Sequence, residues 1–291
     1  MIQTNTVLET KNLSKSYGAI EALNDVSLRL EDNKIYGLFG RNGAGKTTLL
    51  NIIASRIFAD QGTVTCFGED IVKHPERITN ACCYMPEKHY FPPRFKVKQL
   101  LAYGKSFYPK YDEVYAEKLC GIFKLNTRQK YNQLSRGYQS ILRIVLGLAS
   151  NAPITIFDEP VLGLDAVARD QFYSELIEEF SGNPRLFIIS THLIEESADL
   201  FNEAIIIKNG KVLKQAPVEE LLANAFYVSG KSAQVDEFIK TQNVMHQQSV
   251  NGMKTAVVEG NLDSEKQVAG LSFSLLTIQK LFIHLTSEEN D

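Results

Sequence analysis

The segment Gly40-Arg41-Asn42-Gly43-Ala44-Gly45-Lys46-Thr47 constrains this chain more than any other. Its glycines let the backbone turn tightly and bring several N–H groups to one point. It follows directly on Lys34-Ile35-Tyr36-Gly37-Leu38-Phe39, an apolar run that reads as a buried strand. Beyond it, Lys46 to Ala54 carries Leu49, Leu50, Ile52 and Ile53 and reads as a helix. Strand, glycine-rich loop and helix start are the context of a phosphate-binding loop, where N–H groups and the helix dipole face anionic oxygens. In that reading Lys46 offers a mobile ammonium to β- and γ-phosphates, and Thr47 offers a hydroxyl to Mg²⁺.

The rest of the chain supplies a sheet for such a loop. Val7 to Leu30 shows apolar alternation on both sides of a turn at Tyr17-Gly18, so two strands are expected there. Residues 88–134 are rich in Lys and Tyr, with apolar positions spaced for two or three helices, a helical insertion. From Ser135 the order becomes helix (through Ile141 and Val145), strand (Ile154–Phe157), helix (Gln171–Phe180) and strand (Leu186–Ser190). A hairpin follows around Asn209-Gly210. Alternating strands and helices imply a parallel sheet covered on both faces.

Residues 225–291 read as a second unit. The pattern is strand (Phe226–Val228), helix (Val235–Lys240), strand (Val244–Val250), strand (Lys254–Glu259), helix (Ser264–Ala269) and strand (Ser272–Leu276). That is β-α-β-β-α-β, the ferredoxin-like arrangement. A last helix, Ile278 to Leu285, is capped by Thr277 and shows Ile278, Leu281, Phe282 and Leu285 on one face.

Composition excludes several classes. The net charge is −3, so no basic field points to nucleic acid. The most apolar segment, Ile141 to Ala149, is interrupted by Arg143 and is far shorter than the roughly 20 residues a membrane span needs. The chain is therefore expected in the cytoplasm, with any membrane crossing left to another protein. Cys66, Cys82, Cys83 and Cys120 lack zinc-ligand spacing and read as small buried residues in a reducing compartment.

Two further stretches carry chemistry. Ile154-Thr155-Ile156-Phe157-Asp158-Glu159-Pro160 is a strand ending in two carboxylates. Asp158 suits a hard cation beside phosphates, and Glu159, one step further, suits a general base toward water. Leu134-Ser135-Arg136-Gly137-Tyr138-Gln139 opens a helix with Ser135 as N-cap, a second anion-binding helix start.

Together these motifs, over about residues 7–215, resemble the ATP-binding-cassette (ABC) ATPases. The resemblance implies an α/β P-loop NTPase cassette with an antiparallel β subdomain and a helical subdomain at about 88–150. The cassette would occupy 1–224, and the small α+β domain 225–291. Gly40, Arg41, Asn42, Gly43, Ala44, Gly45, Lys46, Thr47 and Thr48 would bind ATP as Walker A, with Tyr17 stacking on adenine. Asp158 would be the Walker B carboxylate, Glu159 the catalytic glutamate, His192 the switch histidine and Asp165 the D-loop aspartate. Leu134, Ser135, Arg136, Gly137 and Tyr138 stand where the family has its signature, which would bind the γ-phosphate of a second subunit's ATP. Thr47, Glu87 and Asp158 would serve Mg²⁺. Two departures stand out: Glu87 occupies the usual glutamine position of the Q-loop, and Arg136 and Tyr138 replace glycine and glutamine of the signature. Pro-Glu at the Q-loop and a basic third signature residue are familiar among ABC-2-type exporter ATPases.

The implied partners are a second ABC ATPase subunit, the same or different, and integral-membrane permease subunits, with the chain peripheral on the inner face of the cell membrane. Peptide, lipid or drug-like cargo is expected. The aromatic set Tyr84, Tyr90, Phe91, Phe95, Tyr103, Phe107 and Tyr108 suits either a permease groove or the core of the helical subdomain. The rival class is a soluble ABC ATPase working on ribosomes or DNA. A single cassette without heptads or a basic arm speaks against it.

Overall fold

The computed structural model describes residues 5–88, 91–262 and 268–287. Its centre is a six-stranded sheet in the order β10 (Lys211–Pro217), β9 (Glu203–Lys208), β3 (Ile35–Phe39), β8 (Leu186–Ser190), β7 (Ile154–Asp158) and β6 (Cys82–Met85). All neighbours are parallel except β10, which pairs antiparallel with β9 at the edge. Every residue of β3, β7 and β8 is buried, as expected where both faces of a parallel sheet are covered. One face packs on α1 (Lys46–Ile53). The other packs on α5 (Arg136–Ala149) and α6 (Ala166–Gly182).

A four-stranded antiparallel sheet, β2 (Ile20–Glu31), β1 (Thr6–Tyr17), β4 (Gln61–Cys66) and β5 (Glu69–Asp70), shares the α1 core. The short helix α2 (Pro75–Ala81) leads into β6. The helical insertion consists of α3 (Val97–Phe107) and α4 (Glu113–Ile122), both packed on α5. Phe91, Phe95 and Tyr108 turn toward the core, whereas Tyr103 and Phe107 stay exposed beside Phe95 in a ladder of rings. Tyr90 lies outside the described residues.

Periodicity places α6 from Gln171, but it begins at Ala166. The Asp165 side chain accepts the N–H of Ala168 at 2.8 Å, and this cap adds a turn that apolar spacing does not reveal. The short helix α7 (Ile194–Ser197) lies between β8 and β9, and α8 (Val218–Ala223) leads from β10 into the C-terminal region.

There a third sheet runs β12 (Asn243–Val250), β13 (Met253–Glu259), β11 (Ala225–Lys231), β14 (Leu271–Leu275), all antiparallel. The helix α9 (Ser232–Ile239) covers one face, packing Val235 over Phe226 and Val228. This is the strand order of a split βαβ arrangement. The expected helix at 264–269 falls mostly outside the described residues. Val268 to Gly270 form a turn, with Gly270 at φ +87° and the Leu271 N–H on Val268 O at 3.2 Å. The other face of the sheet is not free. Ala225, Val257, Leu276, Ile278 and Leu281 join the same buried cluster as the cassette helices. The last helix, α10 (Ile278–Thr286), packs on α7 and α8, and Thr277 caps it by accepting the Lys280 N–H at 3.3 Å.

Candidate active site

The carboxyl ends of β3, β6, β7 and β8 open onto one cleft of about 1060 Å³, the place where open parallel sheets bind ligands. Gly40 to Thr48 form its floor. The glycines are required by their surroundings. A Cβ on Gly45 would lie 2.5 Å from Ala22 O, at φ +107°, and one on Gly40 would lie 2.7 Å from the Ile207 side chain. Gly45 brings no side chain to cap α1, which leaves the first-turn N–H groups for an anion. Lys46, nearly buried, donates to Gly40 O at 2.7 Å across the loop.

Asp158 is fully buried at the end of β7. It accepts hydrogen bonds from Thr47 Oγ1 at 2.9 Å, from Ser190 Oγ and from Tyr84 OH at 3.4 Å. Glu159 follows with φ +50°, a left-handed conformation that costs a non-glycine residue of order 1–3 kcal/mol. Its N–H is held by Ser190 O at 3.1 Å and Ser190 Oγ at 3.2 Å. The kink turns the carboxylate into the cleft. There Oε2 meets His192 Nδ1 at 2.7 Å and Oε1 lies 3.9 Å from Lys46 Nζ. Burial pushes the Glu159 carboxyl above its ordinary value, with His192 and Lys46 pulling the other way. A carboxylate so placed is available to take a proton from water.

Glu87 lines the cleft from the segment after β6. Thr47, Asp158 and Glu87 offer only oxygen donors, which suits a hard divalent cation shared with phosphate oxygens. Among the described residues, no cluster of three or more His, Cys, Asp or Glu forms a metal cage of its own.

The signature residues lie outside this cleft. Ser135 caps α5, accepting the Tyr138 N–H at 3.3 Å. Ser135, Arg136 and Tyr138 are exposed, while Leu134 is buried. A Cβ on Gly137 would lie 2.7 Å from Gly163 O, so the segment before Asp165 runs tight against the start of α5. Tyr17 is 51% exposed with Lys15 Nζ over its ring and does not line the cleft; Ile20 and Ala22 of the same hairpin do.

Four contributors were not anticipated from sequence. Arg143, which reads only as an interruption of an apolar run, is buried and donates to the carbonyls of Pro86 and Glu87 and to Ser140 Oγ at 2.7 Å. Ser140 Oγ in turn donates to Leu162 O at 2.8 Å, so one helix ties together two segments of the cleft wall. Phe282 and Thr286 of α10 also line the cleft. Helical periodicity marks an apolar stripe but carries no signal for which neighbour it meets.

Phosphate loop, buried aspartate, kinked glutamate and histidine on one sheet edge define a nucleotide-hydrolysing P-loop ATPase. Residues 23–162 match the sequence model of the family described as ABC transporter. The chain is 34% identical over 215 residues to the ABC transporter ATP-binding protein YtrB of Bacillus subtilis (strain 168), covering 74% of this chain and 73% of that protein. It is 29% identical to the lipopolysaccharide export system ATP-binding protein LptB of Haemophilus influenzae, covering 75% of this chain and 93% of that one. A solved ATP-binding subunit of an ABC transporter superposes with TM-score 0.67 at 25% identity, over 74% of this chain and 92% of that chain. A dimeric cassette bound to ADP and Pi shares the fold, with TM-score 0.64 at 21% identity over 72% of this chain and 98% of that chain. The chain belongs to the ATP-binding proteins of ABC transporters. It is an ATP-binding, ATP-hydrolysing subunit that uses Mg²⁺.

Proposed function

We propose that this subunit dimerises head to tail around two ATP molecules and drives a separate membrane permease that exports peptide, lipid or drug-like cargo. One observation carries the reading. Lys46, Thr47, Glu159 and His192 line one cleft, with Asp158 buried behind Thr47, whereas Ser135, Arg136 and Tyr138 are exposed and lie outside its wall. A capped helix start facing solvent is an anion site awaiting a phosphate brought by another molecule. In this scheme Glu159 takes the proton of the attacking water and His192 holds Glu159 in place. Lys46 neutralises the phosphates. Thr47, Asp158 and Glu87 would hold Mg²⁺, which would screen charge on the phosphate oxygens. Ser135 and Gly137 complete the partner's site, and Asp165 stays at its margin.

Export is supported by the names of relatives, among them lipopolysaccharide export, bacitracin transport and Nod factor export proteins, although a branched-chain amino acid transport protein also matches. Among the described residues no helix is long and apolar enough to cross a membrane, so the permease is assigned to other chains, with this subunit on the cytoplasmic face. Residues 225–291 form an accessory unit docked on the cassette at 1–224.

The test is light scattering of Glu159→Gln with ATP and Mg²⁺. A stable doubling of mass is expected, with turnover stalled. A persistent monomer, or near-normal hydrolysis, overturns the shared-site scheme. Co-purification with a multispan permease tests the transport half.

A further inference from the structure

The last helix of the chain touches three things at once. Ile278 and Leu281 anchor it in the buried cluster that the cassette and the C-terminal sheet share. His284 faces that sheet: its Nε2 lies 3.1 Å from Tyr227 OH on β11, and its ring stacks on His246 of β12 with centroids 4.8 Å apart. Phe282 and Thr286 face the cleft floored by Gly40 to Thr48. The end of the helix is tied down as well. Lys208 Nζ donates to Ser287 O at 2.9 Å, a cation placed at the negative end of the helix dipole. Lys208 ends β9, and two residues on, the Gly210 N–H donates to Ala44 O at 3.0 Å, inside the phosphate loop. A short path of hydrogen bonds and chain thus joins α10 to the loop.

Phe282 is the one Phe, Tyr or Trp in the cleft wall among the described residues, Tyr17 lying outside it. It is partly buried, so part of the ring remains open. We propose that α10 is a wall of the nucleotide site, that Phe282 contacts the bound nucleotide, with Thr286 behind it donating its hydroxyl to Phe282 O at 2.7 Å, and that nucleotide occupancy thereby acts on the C-terminal sheet through the helix. This rests on placing ATP in the Gly40–Thr47 cleft. The C-terminal unit is then a participant in nucleotide binding, which its sequence, lacking any ligand motif, does not declare.

The chain contains no tryptophan, so Phe282→Trp creates a single tryptophan at the contact, excited at wavelengths that its tyrosines do not absorb. Ile283→Trp, on the exposed side of the same helix at 42% exposure, is the control. ATP binding to each protein is measured in parallel by calorimetry. The expected result is a saturable emission change in Phe282→Trp, following the calorimetric binding curve and abolished by Lys46→Ala, with little response from Ile283→Trp. Calorimetric binding without any emission change in Phe282→Trp overturns the contact while leaving the site intact. Equal responses at both positions also overturn it, since they report a general rearrangement. Absence of calorimetric binding to the unaltered chain overturns the site itself. Phe282→Ala provides a second arm: ATP affinity falls about 2- to 12-fold, and Phe282→Tyr restores it. Unchanged affinity in a folded Phe282→Ala protein rejects the contact.

Discussion

The two ends of the proposed shared site are built in opposite ways. On the cleft side the charged groups are buried and satisfy one another: Asp158 by Thr47 and Ser190, Glu159 by His192 and by Lys46 nearby. On the signature side Ser135, Arg136 and Tyr138 face solvent, and the Ser135 side chain satisfies only its own helix start. The cleft has preorganised its charges, since buried ions are tolerable only with partners. In the proposed scheme the signature is a surface whose partner comes from a second subunit. Cleft substitutions should therefore damage binding or chemistry within one subunit, and signature substitutions should spare binding and damage association.

The largest effect is expected from Glu159→Gln, which lowers steady-state turnover by about 10²–10⁴-fold while equilibrium ATP binding persists. Lys46→Ala is expected to weaken ATP binding roughly 10- to 100-fold by calorimetry, because it removes charge-assisted hydrogen bonds. Ser135→Ala removes a cap worth about 1 kcal/mol in thermal unfolding, and in the Glu159→Gln background it abolishes the ATP-dependent dimer while single-subunit ATP binding stays intact. Loss of ATP binding there would erase the contrast between the two ends.

The pH profile gives a finer test. Burial raises the Glu159 carboxyl above its ordinary value, and a base must be ionised, so the acid limb of kcat should lie above the range of an ordinary glutamate. His192 lowers that carboxyl's pKa, so His192→Ala should move the limb to still higher pH. The smallest effect is expected from Glu87→Gln, whose turnover should stay within about threefold of the unaltered protein. Glutamine keeps an oxygen donor toward the Mg²⁺ position, and Arg143 holds the backbone of this residue in place whatever its side chain.

Part of this site was legible because its chemistry is local. Gly40 to Thr47 combine a strand, a glycine-rich turn and a helix start within one stretch, and Asp158 and Glu159 end a recognisable strand. Ser135 and Thr277 were readable as caps for the same reason: a cap acts on N–H groups only two or three residues away. The C-terminal strand order also emerged from pattern, since hairpin and helix lengths leave few ways to pair four strands.

Other features depend on residues far apart in the chain. Arg143 acquires a role only when Pro86 and Glu87 fold against α5. The left-handed backbone of Glu159 depends on Ser190, 31 residues later. Phe282 and Thr286 belong to a stripe that any amphipathic helix shows, and only the docking of α10 beside β9 turns them toward the phosphate loop. The sequence by itself determined the nucleotide chemistry, because that chemistry rests on short backbone motifs. Tertiary structure decided which remote side chains complete the cleft, because close packing is set by neighbours that local periodicity does not name.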